Sequence, residues 1–420
     1  MLRIALLSAT SVLILAWVAI TAQVEKRKPT NDESNQAVRD SVGTPQQAHE
    51  DAASYCLQGR ARAARGEYDL AIAEFSRAIQ LDPTNAWAHN ARGEAHRLMG
   101  QYDESILDFN QALHLDPKYA VAYTARGAAY AAKGECDRAI ADCHQAIQLD
   151  QNEARAYAVR GEAYRLTGAI DQAIADSTEA LRLGLQNTLA YTTRGSANAA
   201  KGQYDEAIAD FTEALRLDPR DAKVYAARAA VYGFRGQQDR AIADSTAALR
   251  LDPPCSLARC VRALARYNKG EFDAAVADCT EALRVNPQNP WAYHKRGAAY
   301  AAKGAYEKAL ADYKDSLRVD PANVWAHNAL AWLWATCPEA KTRDGRQAVE
   351  RATSACALSG WKDGDSLDTL AAAHAERGQF DEAVNWANRA LDVAPEQQRR
   401  AIRARLELYQ AGKPYREDKP

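Results

Sequence analysis

The chain has 420 residues, 47% of them apolar and 26% charged, with a formal net charge of −2. That is the composition of an ordinary soluble helical protein, and the near-neutral charge gives no support for nucleic-acid binding, which calls for a basic face. A chain of this length would usually hold two or three globular domains, but a period of 34 residues along most of it argues instead for one elongated array.

Residues 1–22 differ from everything after them. Ile4 to Ala22 is a run of 19 residues without a charge, close to the length that spans a bilayer and longer than the apolar core of most cleaved signals. The run reads as a signal anchor or transmembrane helix, with a cleaved signal peptide as the alternative. Lys26, Arg27 and Lys28 follow it, which by the positive-inside rule favours a cytoplasmic array. A cleaved signal, or an anchor with its short tail inside, places the array on the periplasmic side. The expectation is a membrane-anchored protein with an extracytoplasmic array, a cytoplasmic-facing one being left open. Residues 23–50 are polar, contain Pro29, Gly43 and Pro45, and read as a flexible linker.

Residues 52–323 carry eight regular units. Thr188 to Asp221, TLAYTTRGSANAAKGQYDEAIADFTEALRLDPRD, shows the design. A first helix ends at Gly202, as helices do at a residue that tolerates a left-handed backbone. A second opens at Tyr204 and Asp205, the acid suiting the helix dipole. Ala207, Ile208, Phe211, Ala214 and Leu215 make an apolar stripe of helical period, and Pro219 closes the unit. One such hairpin cannot bury its stripe alone, so the stripe calls for stacked neighbours. The glycine recurs as Gly66, Gly100, Gly134, Gly168, Gly236, Gly270, Gly304 and Gly378. Residues 324–397 hold two further units. The first is irregular, with a longer loop around Pro338 to Gly345. Residues 398–411 read as a capping helix and 412–420 as a flexible tail.

These residues resemble the tetratricopeptide repeat family. Tyr123, Gly127 and Tyr130 are similar to its W-x2-L-G-x2-Y opening, and Ala207, Phe211 and Pro219 to its later A, F and P. The resemblance covers residues 52–397, about ten repeats, and the last units also resemble a terminal segment of bacterial tetratricopeptide proteins. It implies an all-α, right-handed α-α superhelix whose concave groove binds peptides or proteins.

One position departs from the family, which prefers leucine before the first-helix glycine. Here it is Arg92, Arg126, Arg160, Arg194, Arg228, Arg262 and Arg296. A column of acids runs along the second helices: Glu74, Asp108, Asp142, Asp176, Asp210, Asp244, Asp278 and Asp312. A buried arginine needs a partner, so each is expected to meet an aspartate of its own or the preceding repeat. The alternative is an arginine track for an acidic ligand.

Nothing in the sequence carries catalysis. There is no phosphate-binding loop, no zinc-protease helix and no nucleophile with a base. Eight cysteines include no C-x2-C pair, and Cys143 and Cys279, in the slot of Phe211, read as small packing residues. The histidines do not cluster. No enzyme activity, cofactor or metal is expected.

The resemblance implies that the second, fifth, ninth, twelfth and thirteenth residues of each first helix line the groove. Carried over, these are small through the early and middle repeats: Ala128, Ala131, Ala132, Ala158, Ser196, Ala199 and Ala200. Later they are larger: Phe234, Tyr267, Trp291, His294, Trp325, Asn328 and Trp332. Aromatic anchors in concave sites are common binding hot spots, although some could instead pack against neighbouring repeats. The expected function is a non-catalytic interaction scaffold binding a protein or peptide, with a targeting or regulatory subunit of an envelope enzyme complex as the rival.

Overall fold

The structure, a computed structural model, describes residues 45–418. Among them are twenty-one α-helices and no strand. In chain order these are α1 (Pro45–Ala64), α2 (Tyr68–Leu81), α3 (Ala86–Leu98), α4 (Tyr102–Leu115), α5 (Ala120–Ala132), α6 (Cys136–Leu149), α7 (Ala154–Leu166), α8 (Ile170–Arg182), α9 (Thr188–Ala200), α10 (Tyr204–Leu217) and α11 (Ala222–Phe234). Then come α12 (Gln238–Leu251), α13 (Ser256–Asn268), α14 (Phe272–Val285), α15 (Pro290–Ala302), α16 (Tyr306–Val319), α17 (Val324–Thr336), α18 (Gly345–Leu358), α19 (Gly364–Glu376), α20 (Phe380–Val393) and α21 (Glu396–Gln410), with a short 3-10 turn at Ala340–Thr342. The helices pair as hairpins. The chain divides into two units within α11, one ending at Val231 and one starting at Tyr232.

The α9–α10 hairpin shows why these residues fold so. Asn187 accepts the Ala190 backbone N–H at 3.0 Å, satisfying one donor that the helix start leaves open. Gly202 takes φ +78°, which a side chain would strain. Ala207, Phe211, Ala214 and Leu215 are buried on one face of α10. Phe211 lies under Gly195 of α9, where an added Cβ would sit 3.1 Å from the ring. Burying a side chain of that size contributes roughly 1.5–3 kcal/mol, so the glycine is there to let the two helices close on it.

The second unit ends in a larger core. Leu330, Trp334, Leu367, Leu370, Ile402 and Tyr409 are buried together, and α21 supplies the last two against α19 and α20. The longer loop after α17 carries the 3-10 turn, and Asp344 then caps α18 by accepting the Gln347 and Arg346 N–H groups. Past α21, Gly412 turns at φ +67° and the chain runs back to α17, where the Glu417 N–H donates to the Thr336 carbonyl at 2.9 Å.

Several expectations change. The first helix begins at Pro45, inside the stretch expected to be linker, and Tyr415 to Glu417, expected to be part of a loose tail, are half-buried. The expected membrane-anchored, extracytoplasmic location is corrected: no helix among the described residues is long and apolar enough to cross a membrane. The run in residues 1–22 on which it rested lies outside the described residues.

Candidate protein-binding site

The arginine column sets the frame that holds the first helices. Arg92, Arg126, Arg160, Arg194, Arg262 and Arg296 each donate through two nitrogens to the aspartate 16 residues ahead, on the second helix of the same hairpin. The closest N–O distances are 2.7 Å for Arg92–Asp108, Arg126–Asp142, Arg160–Asp176 and Arg296–Asp312, and 2.6 Å for Arg194–Asp210 and Arg262–Asp278. A third nitrogen reaches back to the preceding hairpin: Arg92 to Ser76, Arg126 to Asn110, Arg228 to Thr212, Arg262 to Thr246 and Arg296 to Thr280. The planar fork of arginine can join three helices this way, which lysine could not. A tyrosine one turn earlier lies under the guanidinium in five repeats, as Tyr123 does under Arg126 at 5.5 Å. Asp244 is buried like the other aspartates. At the start of the column Glu74 meets Arg62 at 3.3 Å instead, since Gln58 stands where later repeats have arginine.

Up to Val231, two first helices, α3 and α7, carry ion pairs at their inward slots. Glu94 of α3 accepts two hydrogen bonds from Arg97 and one, at 2.7 Å, from Arg155 of α7, two hairpins further on. On α5, the first helix between them in sequence, Ala128, Ala131 and Ala132 are half-buried. Burial opposes ionisation of Glu94, but the hydrogen bond and charge of Arg97 with the charge of Arg155 outweigh it and hold the carboxyl below the usual range. Glu162 repeats the pattern with Arg165 at 2.8 Å and accepts the Thr193 hydroxyl at 2.9 Å. Ala158 is fully buried against Ala180 and Ala190 and lines nothing, whereas Ser196 and Ala199 are half-buried and Ala200 is exposed.

From Tyr232 onward several of these slots hold aromatic side chains. Trp325 is 39% exposed at the second position of α17. Trp291, at the same position of α15, is half-buried beside Leu283 with the Lys295 ammonium 5.9 Å from its ring. The His294 ring lies tilted against Tyr313 with ring centres 5.7 Å apart, and its Nδ1 has no hydrogen-bond partner. Burial, and then the Lys295 charge, push it well below the usual imidazole range. The Asn328 side-chain oxygen is likewise buried without a partner. Tyr267 lies 5.5 Å from Phe272, and Phe234 is half-buried. Trp332 is not open: its indole N–H donates to Glu417 at 2.6 Å and its ring meets Tyr415 at 5.9 Å.

Sequence reasoning missed three things here. Trp87 of α3, at the slot of Trp291 and Trp325, is also 39% exposed, and the 34-residue register would have found it. Opposite charges at the second and ninth slots, Arg155 and Glu94, were readable the same way. Nothing in the tail sequence pointed to Trp332. The eight cysteines are free thiols. Burial raises Cys260 to about 11 and Cys356 to about 12. Among the described residues no three His, Cys, Asp or Glu side chains gather as a metal site.

Residues 59–100, 93–134, 195–233, 263–304 and 299–333 each match the family model described as TPR repeat. These segments carry tetratricopeptide repeats. No curated protein matches it. Among solved structures, yeast Tom70 is 15% identical, with 86% of this chain and 96% of that one covered and a TM-score of 0.44. YrrB, described as a TPR protein with an unusual peptide-binding site, is 22% identical over 44% of this chain and 96% of its own, at a TM-score of 0.38. MamA protein is 28% identical over 41% and 95%, at 0.34. Proteins built of such repeats are generally interaction scaffolds.

Proposed function

We propose that this chain is a non-catalytic scaffold of about ten tetratricopeptide repeats, which binds an extended or helical peptide of a partner protein on the first-helix face of residues 232–420. The observation that carries the reading is the pair Trp291 and Trp325, at the same slot of successive first helices and left partly open. Half-open indoles beside smaller side chains suit an apolar anchor of a partner. His294, Asn328, Tyr267 and Phe234 line the same face, and the arginine column serves to hold the helices that present it. Partner capture from a lysate by the purified chain, compared with Trp291→Ala and Trp325→Ala, tests this. Each change should weaken capture, while Arg318→Ala on the second helix α16 should not. Capture that survives both tryptophan changes would move the site elsewhere.

A further inference from the structure

Residues 413–418 already occupy part of that face. Trp332, Ala335 and Thr336 stand at inward slots of α17, and all three are engaged by the tail. The Trp332 indole N–H donates to the Glu417 carboxylate at 2.6 Å, the Thr336 carbonyl accepts the Glu417 N–H at 2.9 Å, and the Ala335 carbonyl accepts from Arg416 at 3.3 Å. Arg416 also pairs with Glu376. Arg405, fixed by two hydrogen bonds to the buried Asp368, lies over the rings of both Trp332 and Tyr415, at 5.3 and 5.5 Å. The site is thus an indole donor, a flanking ring slot capped by a guanidinium, and two main-chain acceptors. It takes an aromatic side chain and, two residues on, a carboxylate.

The occupant is held only modestly. Between Gly412 and Asp418 the tail offers one aromatic side chain and Pro414 as its apolar content, and Tyr415 and Glu417 remain half-exposed. Being tethered, it needs little affinity: a short flexible connection gives an effective concentration of about a millimolar.

We propose that this site binds partner peptides carrying a tyrosine followed two residues later by a carboxylate, and that the chain's own segment 413–418 is a built-in competitor such a peptide displaces. This rests on the reading of the first-helix face as the binding surface. The occupant follows from the tail's own chemistry: whatever replaces it must return an acceptor to the indole N–H and a ring beneath Arg405.

The test uses full-length chain and a labelled synthetic peptide, Gly-Lys-Pro-Tyr-Arg-Glu-Asp, read by fluorescence anisotropy. In the variant Tyr415→Ala/Glu417→Ala the tail cannot compete, and the peptide should bind about 10- to 100-fold more tightly than to wild type, the ratio of a millimolar effective concentration to an affinity of tens of micromolar. In that background Trp332→Phe, which keeps a ring but loses the indole donor, should weaken the peptide several-fold, and a peptide with Tyr and Glu changed to Ala should not bind. No binding to the double variant, or equal binding to it and to wild type, overturns the proposal. If Trp291→Ala still weakens partner capture while the peptide binds nothing, the face stands and the tail proposal alone falls.

Discussion

At the second inward slot of the first helices, α7 has Arg155 and α15 has Trp291; at the ninth, α3 and α7 have Glu94 and Glu162, whereas α17 has Trp332. Both units keep the same arginine–aspartate column behind these slots, with the same two hydrogen bonds per pair. The repeat therefore separates two jobs. The column, the hairpin glycine and the small residues of the second helix fix the stacking and hardly vary. The inward slots are free of that duty and carry whatever the surface is for. Up to Val231 the slots of α3 and α7 carry ion pairs, those of α5 and α9 are uncharged, and Trp87 stands partly open on α3. From Tyr232 onward they hold indoles, an unprotonated imidazole and a displaceable tail.

The largest effect should come from the shared column, and it should be equal in both units. Arg194→Leu would leave Asp210, 5% exposed, with Asn198 at 3.3 Å as its remaining side-chain donor. Arg296→Leu would do the same to Asp312, 4% exposed. Removing one partner of a buried pair costs about 3–5 kcal/mol, so urea melts should show both variants strongly and similarly destabilised. A large cost in one unit and none in the other would mean that the column is not a common frame. The last hairpin shows that a pure apolar solution exists, since Leu370 and Trp386 take the two positions there.

Next comes the difference between the inner faces. Truncating a central aromatic anchor typically costs 2 kcal/mol or more, about 30-fold in affinity. Trp291→Ala and Trp325→Ala should each lose that much partner binding, and Trp87→Ala, on the face wired by ion pairs, should lose less than about threefold. Equal losses at all three would erase the distinction between the units.

The columns were legible because they repeat: an arginine every 34 residues with an acid in step can be read without coordinates. Which acid each arginine takes was not, since the same and the preceding repeat are equally compatible with the spacing. The fold resolves it by giving the aspartate to the same hairpin and the hydroxyl or amide to the one before. The inward slots were legible as positions but not as environments. Ala158 carries the slot number of a lining residue and is buried, because slot number fixes direction and not how closely the next helix approaches. The Trp332–Glu417 contact joins residues 85 apart in a segment with no periodicity, so nothing in the pattern announces it.

A smaller effect should separate the units by pH. His294 in the folded chain is held well below the usual imidazole range, by burial and then by Lys295, while in the unfolded chain it titrates near 6.5. The unfolded state thus binds the extra proton, and stability rises with pH. His294 imposes no penalty above about pH 7.5 and an increasing one as pH falls through about 6.5, approaching 1.4 kcal/mol per pH unit below it. Denaturation followed at Trp291 and Trp325 should show stability falling as pH drops through about 6.5, and His294→Gln should flatten that fall. A slope unchanged in the variant would assign the effect to another group.

The smallest effect tests whether the ion-paired face is built for strength or for filling space. Arg155 and Glu94 have side chains 37% and 27% exposed, a setting in which solvent screens the pair and such contacts are worth at most about 1 kcal/mol. Arg155→Ala should therefore lower stability by less than that at neutral pH. It should also change the acid limb. Glu94 is held below the usual carboxylate range, with Arg155 one of the causes, so its contribution is present above the unfolded value near 4.3 and is lost as pH falls through the folded one. Without Arg155 that loss should begin at higher pH and be smaller in total. What the substitution should change most is space, since the side chain that links α7 to α3 is gone. If Arg155→Ala makes the face up to Val231 capture proteins that the wild type does not, its ion pairs act as a cover that leaves binding to the aromatic unit. If it destabilises by several kcal/mol instead, the pair belongs with the column as part of the frame.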